Sequence, residues 1–271
     1  MEELLAVKNL SVSFRMYQGA LTHTLVAGMH DVNLHLNRGE ILAVVGASGS
    51  GKSLLAHAVL GILPYNAVTS GEMRYRGELL DAALQEQLRG RAMALIPQSV
   101  TYLDPLMRVG KEVCGLYGAP DDMAATFRRL HLEERVQRLY PFQLSGGMAR
   151  RVLFSTAVIT DASLIIADEP TPGMDVKSAV EALQLLRELA DAGKGVLLIT
   201  HDIDLAVEVA DTVAVFYEGR TIDMIPAASF RGDGSDLRHP YTRALYHALP
   251  QNDFTVYTVA EVTQMTAVGG A

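Results

Sequence analysis

The chain has 271 residues, 49% hydrophobic and 20% charged, which excludes disordered and collagen-like classes and supports a compact core of one or two domains. Acidic residues outnumber basic ones by 31 to 23, a formal net charge of -8, so no nucleic-acid partner is expected. Cys114 is the only cysteine, which removes intrachain disulfides and any metal cluster built from several thiolates of one chain. Met1-Glu2-Glu3 lacks the basic and apolar start of a signal peptide, and no window reaches the roughly 18 apolar residues of a spanning helix. The expectation is a chain soluble by itself that can sit on a membrane partner.

In chain order, residues 4–14 alternate partly, 32–36 (VNLHL) alternate cleanly, and 41–45 (ILAVV) form a continuous apolar run. A fully apolar strand implies a buried parallel sheet. An apolar helix is predicted over 54–63 and a strand over 93–97 (MALIP). Between 109 and 139 the composition shifts to Arg, Glu, Ala and Leu, with Pro120-Asp121-Asp122 as a helix start, which reads as an inserted helical subdomain. A long helix is predicted to start near Met148, and strands over 163–167 (SLIIA) and 195–200 (GVLLIT) flank an amphipathic helix at 179–192. After Gly234 the chain becomes a short polar extension containing His239-Pro240-Tyr241-Thr242-Arg243 and a weakly patterned tail.

The octet Gly46-Ala47-Ser48-Gly49-Ser50-Gly51-Lys52-Ser53 fits G-x-x-x-x-G-K-[ST] between a strand and a helix, the context that a phosphate loop demands. Its glycines let backbone N–H groups approach phosphate oxygens. Lys52 reaches the β/γ-phosphates of a nucleotide as a point charge, and the Ser53 hydroxyl ligates Mg²⁺. Asp168 and Glu169 end a second apolar run: Asp168 organises Mg²⁺, and Glu169 faces the γ-phosphate and polarises water. Carboxylates at a strand end are more often solvated turn residues, and the phosphate loop is what favours the catalytic reading. His201 follows GVLLIT at the same sheet edge, where it is either structural or a γ-phosphate contact that positions water. Gln98, closing MALIP, is either a surface amide or a ligand for Mg²⁺ or water. Ser145, Gly146 and Gly147 open a helix with exposed N–H donors, a second anion site in one chain. A single phosphate loop does not need it, so a nucleotide sandwiched between two protomers is predicted.

Taken together, these elements resemble, over roughly residues 4–225, the ATP-binding subunits of ABC transporters. The resemblance implies a P-loop NTPase α/β fold with a mainly parallel sheet, an N-terminal antiparallel β subdomain and an inserted helical subdomain at about 100–160. The ATPase domain would span 1–235 and the extension 236–271. It also implies ATP and Mg²⁺ as ligands, residues 46–53 as Walker A, Gln98 as the Q-loop glutamine, Ser145 to Met148 as the signature, and Asp168 and Glu169 as the Walker B pair. Asp175 becomes the D-loop aspartate and His201 the switch histidine, while Phe14 matches the aromatic that stacks on adenine, with Tyr17 as its rival. The implied assembly lies peripherally on the cytoplasmic face of the membrane: two permeases, a second ATPase (a related chain or another copy of this one) and an extracytoplasmic binding protein.

Leu103-Asp104-Pro105, Tyr140-Pro141-Phe142-Gln143 and HPYTRALYHALP (239–250) are similar to the dipeptide, oligopeptide and nickel importer branch. Many peptide-importing members carry a cysteine cluster for an iron–sulfur centre after that last segment. This chain has no cysteine there, so no cluster is expected and nickel or a metal chelate is favoured over peptide as cargo. Three departures stand out. Met148 ends the signature where the superfamily usually has Gln, although this branch commonly has Met. Ala149-Arg150-Arg151 stands where the branch often has Arg-Gln-Arg, and in the D-loop Pro172 fixes φ while Gly173 loosens the neighbouring backbone. The rival readings are a soluble ABC-type ATPase of repair or translation, which would bring coiled coils or tandem ATPase units, and a phosphate-loop kinase, which would leave Ser145 to Met148 unused.

Overall fold

The computed structural model describes residues 2–17, 23–115, 118–231 and 233–249, with residues 252, 255, 257 and 261. Most of the tail from 251 lies outside the described residues. In chain order the elements are β1 (Glu3–Tyr17), β2 (His23–Asn37), β3 (Ile41–Gly46), α1 (Lys52–Leu60), β4 (Ala67–Tyr75), β5 (Glu78–Leu79), α2 (Ala82–Leu88) and β6 (Met93–Ile96). The insert follows with α3 (Val109–Cys114), α4 (Pro120–Arg129) and α5 (Gly146–Val158). The rest comprises β7 (Leu164–Asp168), α6 (Val176–Asp191), β8 (Gly195–Thr200), α7 (Ile203–Val209), β9 (Thr212–Tyr217), β10 (Arg220–Pro226), α8 (Ala228–Arg231) and α9 (Pro240–His247).

One sheet has the order β10-β9-β3-β8-β7-β6, parallel except for β10. The other, β2-β1-β4-β5, is antiparallel. Every residue of β3, β7 and β8 is buried because both faces of that sheet are covered. Leu42, Val44 and Ile166 face a cluster shared with β1, β2 and α1, whereas Ala43, Val45 and Ile165 face another shared with α5, α6 and α7. This two-sided burial is the reason those runs lack alternation. The carboxyl ends of β3, β7 and β8 thereby converge on one edge, where open α/β sheets bind ligands.

The structure moves several boundaries. Helix α1 begins two residues before the expected 54 and stops at Leu60, because Gly61 takes a left-handed φ of 65° and caps its end. Helix α6 begins at Val176 because the Asp175 side chain accepts the Ser178 N–H, a capping signal that apolar spacing does not carry. Strands β1 and β2 run well past the expected 4–14 and 32–36. Over most of 23–31 the side chains of β2 are exposed or half-buried, so cross-strand pairing rather than burial defines it. The expected insert is present, its core built on Val113, Phe127 and Phe154. The extension is not separate: Leu237, Tyr241 and Tyr246 bury into the same cluster as β3 and β7.

Candidate functional site

Strand β3 delivers the chain into residues 46–53. Gly46 has φ 154°, and a Cβ there would lie 2.3 Å from the Phe216 carbonyl oxygen of β9, so no side chain fits. Gly51, at φ 93°, offers no side chain to cap α1, which leaves the first-turn N–H groups facing the loop. Ser48 and Gly49 are exposed at the loop's crest, and the Ser50 hydroxyl oxygen is buried without a partner. An orphaned buried hydroxyl in a glycine-rich loop at a helix N-terminus fits a site for an oxyanion.

Lys52 is buried and donates to the carbonyls of Gly46 at 2.8 Å and Ala47 at 2.9 Å, folding the loop around its own ammonium. Burial pushes the Lys52 pKa down, opposed by the Glu169 and Asp168 carboxylates. Ser53 Oγ donates to Asp168 Oδ1 at 2.9 Å, joining the head of α1 to the tip of β7. Burial raises the Asp168 pKa and the Ser53 hydrogen bond opposes it.

Glu169 takes a left-handed φ of 47°, and its N–H bonds the Ile199 carbonyl at 2.8 Å. That turn directs its buried carboxylate to His201 Nδ1, 2.8 Å away, while the imidazole itself is 55% exposed. Lys52, Ser53, Asp168, Glu169 and His201 thus meet at one sheet edge although they come from three segments of the chain.

The other anticipated residues lie elsewhere. Ser145 is exposed and caps its own helix by accepting the Met148 N–H at 3.3 Å; Gly146 and Gly147 follow with no contact to residues 46–53 among the described hydrogen bonds. Gln98 is exposed just beyond β6, and Asp175 is exposed at the head of α6. The Phe14 ring is half-buried beside Gly28 and packs on the cluster that includes Leu54 of α1, whereas Tyr17 is exposed and rests 4.3 Å from the His23 ring.

Two contacts escaped the reading of the sequence. Tyr241 of α9 is buried against Tyr217, ring centroids 4.4 Å apart, and the Ala47 backbone N–H in the 46–53 loop faces its hydroxyl oxygen. Burial raises the Tyr241 pKa, with that N–H opposing. Arg150 of α5 is also buried, and it donates to backbone carbonyls in two separate loops. The HPYT segment was a visible signal for the first; for the second, only the unusual Arg at that position was.

Among the described residues no helix is long and apolar enough to cross a membrane, and no group of three or more His, Cys, Asp or Glu side chains could hold a metal ion. Residues 29–172 match the ABC transporter family. The oligopeptide transport ATP-binding protein OppD of Lactococcus lactis subsp. cremoris (strain SK11) is 37% identical over 268 residues, covering 92% of this chain and 76% of the relative. The dipeptide transport ATP-binding protein DppD of Bacillus subtilis (strain 168) is 32% identical over 275 residues, covering 93% and 78%. A solved dimeric bacterial ABC transporter cassette is 25% identical with a TM-score of 0.72, covering 83% of this chain and 99% of that one. With the phosphate loop, the paired carboxylates and the fold in place, the chain belongs to the ATP-binding subunits of ABC transporters, in the oligopeptide and dipeptide branch.

Proposed function

We propose that this chain is the ATP-hydrolysing subunit of a peptide importer, acting peripherally at the cytoplasmic face of the membrane. The carrying observation is the convergence of Ser53 with Asp168 and of Glu169 with His201 on one edge of a phosphate loop. The N–H groups of residues 48–53 and the Lys52 ammonium bind the nucleotide phosphates, exchanging the carbonyl partners that Lys52 now holds. Ser53 and Asp168, with the Gln98 amide oxygen, are hard oxygen donors suited to Mg²⁺, which when bound neutralises charge across the β/γ-phosphates. Glu169 orients and polarises the attacking water, and His201, paired through Nδ1 with the Glu169 carboxylate, holds that carboxylate at the sheet edge and helps to position the water. Phe14, adjoining the first turn of α1, stacks on adenine.

Ser145, Gly146 and Asp175 lie exposed and Gly147 half-buried, as surfaces that meet a second subunit do. In the proposed assembly they contact the nucleotide held by another ATPase subunit, either a related chain or a second copy. Two permeases and an extracytoplasmic binding protein complete it. The names of the relatives support peptide as cargo, whereas the expectation of nickel or a metal chelate rested on the absent cysteine cluster and the LYPF-x-x-SGGM resemblance. With no cysteine beyond Cys114, no iron–sulfur centre is proposed.

The experiment is ATP binding and turnover by the full-length chain with Mg²⁺. Glu169→Gln should retain ATP binding and slow hydrolysis by about 10²–10⁴-fold, the range for loss of a general base or water-positioning group. Lys52→Ala should weaken ATP binding itself. Near-normal turnover in the first variant, or unchanged ATP affinity in the second, would overturn these roles.

A further inference from the structure

Arg150 carries a charge that the ATPase chemistry above does not use. It lies in the second turn of α5, the helix that Ser145 caps, and it is 7% exposed. Its Nη1 donates to the Pro97 carbonyl at 3.1 Å and the Gln98 carbonyl at 2.5 Å, and its Nη2 donates to the Pro172 carbonyl at 3.1 Å. Among the described residues it makes no ion pair, and burial pushes its pKa down. A guanidinium cannot escape burial by losing its proton, so these three carbonyls are what hold the charge.

The acceptors come from two loops. Pro97 and Gln98 open the segment after β6, and Pro172 begins the turn that ends at Asp175, the cap of α6. Both loops present a proline carbonyl, from a residue whose φ is already fixed. The planar fork of one guanidinium then fixes the two loops relative to each other and to α5. A glutamine at position 150 would carry a single neutral NH₂ group and could not serve the same three acceptors with a charge. The two departures noted in the sequence, Arg150 and Pro172, are therefore partners in one contact.

We infer that Arg150 is a positioning residue that fastens the Gln98 loop and the 171–175 loop to the helix bearing Ser145, so that these three segments move as one body when the nucleotide site closes. This inference rests on the ATPase reading for its consequence, although the fastening itself does not.

The test uses the full-length chain with Arg150→Gln and Arg150→Lys. In Arg150→Gln, backbone hydrogen exchange should rise together at residues 98–99 and 171–175, on the order of tenfold for loss of charge-assisted hydrogen bonds, and stay unchanged at 46–53. With Mg²⁺ and ATP, kcat should fall on the order of tenfold while KM for ATP changes less than about twofold, since the loss is in assembling the site rather than in binding. Arg150→Lys, which keeps the charge but not the fork, should lie between wild type and Arg150→Gln in both readouts. If Arg150→Gln does not fold, Arg150→Lys carries the same comparison.

Faster exchange confined to one loop, or faster exchange in both with kcat unaltered, overturns the inference. A wild-type chain that neither binds nor hydrolyses ATP would instead overturn the proposed function, and the exchange pattern would still decide the fastening.

Discussion

Gly46→Ala would place a methyl group 2.3 Å from the Phe216 carbonyl oxygen at a φ of 154°, a combination that L side chains do not tolerate. The expected cost is on the order of 1–3 kcal/mol of backbone strain, seen as a lower thermal midpoint together with weaker ATP binding. At this scale residues 46–53, Asp168 and Glu169 were legible as candidates because the proposed phosphate chemistry would demand those residue types at fixed spacing after apolar strands. The pairing of Glu169 with His201 was not, since it depends on the left-handed turn at Glu169. The partner of Tyr241 was hidden for a similar reason: the HPYT segment marked the residue, but a tyrosine nearly two hundred residues from Ala47 announces no contact with it. Tyr241→Phe removes only the hydroxyl that the Ala47 backbone contacts. It should weaken ATP binding a few-fold, as loss of one neutral hydrogen bond does, at about 0.5–1.5 kcal/mol, with the thermal midpoint little changed. Unchanged affinity by calorimetry would show that the loop holds its shape without it.

Among the elements, α9 joins the extension to the site, and its start is pH-sensitive. His239 caps α9 by accepting the Tyr241 N–H on Nδ1 at 3.1 Å, which requires a neutral ring. Burial lowers the His239 pKa below its ordinary 6.5, opposed by Asp223 and assisted by Arg220. The unfolded chain therefore takes up the proton first as pH falls, so this contribution is complete above about 6.5 and declines below it. Thermal stability should drop as pH falls through that value, and His239→Asn, which can cap without titrating, should flatten the drop. An equally steep profile in the variant would remove His239 as the cause. Elsewhere, periodicity located α6 and a composition shift located the insert, while caps set helix ends: Asp175 for α6, Ser145 for α5 and Gly61 for α1.

Across the whole molecule, the helical insert, the parallel sheet and α9 share one apolar cluster that runs from Phe127 and Phe154 through Val45 to Tyr246. Polar contacts add to it at the surface, with Arg129 in an ion pair with Glu188 and His131 lying 3.6 Å from Glu181 of α6. Exposed pairs of this kind contribute about 0–1 kcal/mol each, so apolar burial is what holds the insert to the sheet. Phe154 is fully buried at that junction. Phe154→Ala should cost about 3–5 kcal/mol and lower a single thermal transition for the whole chain, measured by calorimetry. Two separated transitions would show the insert folding by itself.

The sequence by itself determined the fold class, because a two-sided buried sheet demands continuous apolar strands, and it offered residues 46–53 with Asp168 and Glu169 as the candidate site, because the proposed phosphate chemistry would demand glycine, lysine and acid at set distances. It also contained Arg150, Pro172 and the HPYT segment, but only as departures and markers. Their roles were decided by tertiary structure. The Arg150 fork, the Tyr241 contact with Ala47 and the turn that aims Glu169 at His201 each join groups far apart in sequence, and the chain path alone specifies neither the distance nor the direction of such contacts.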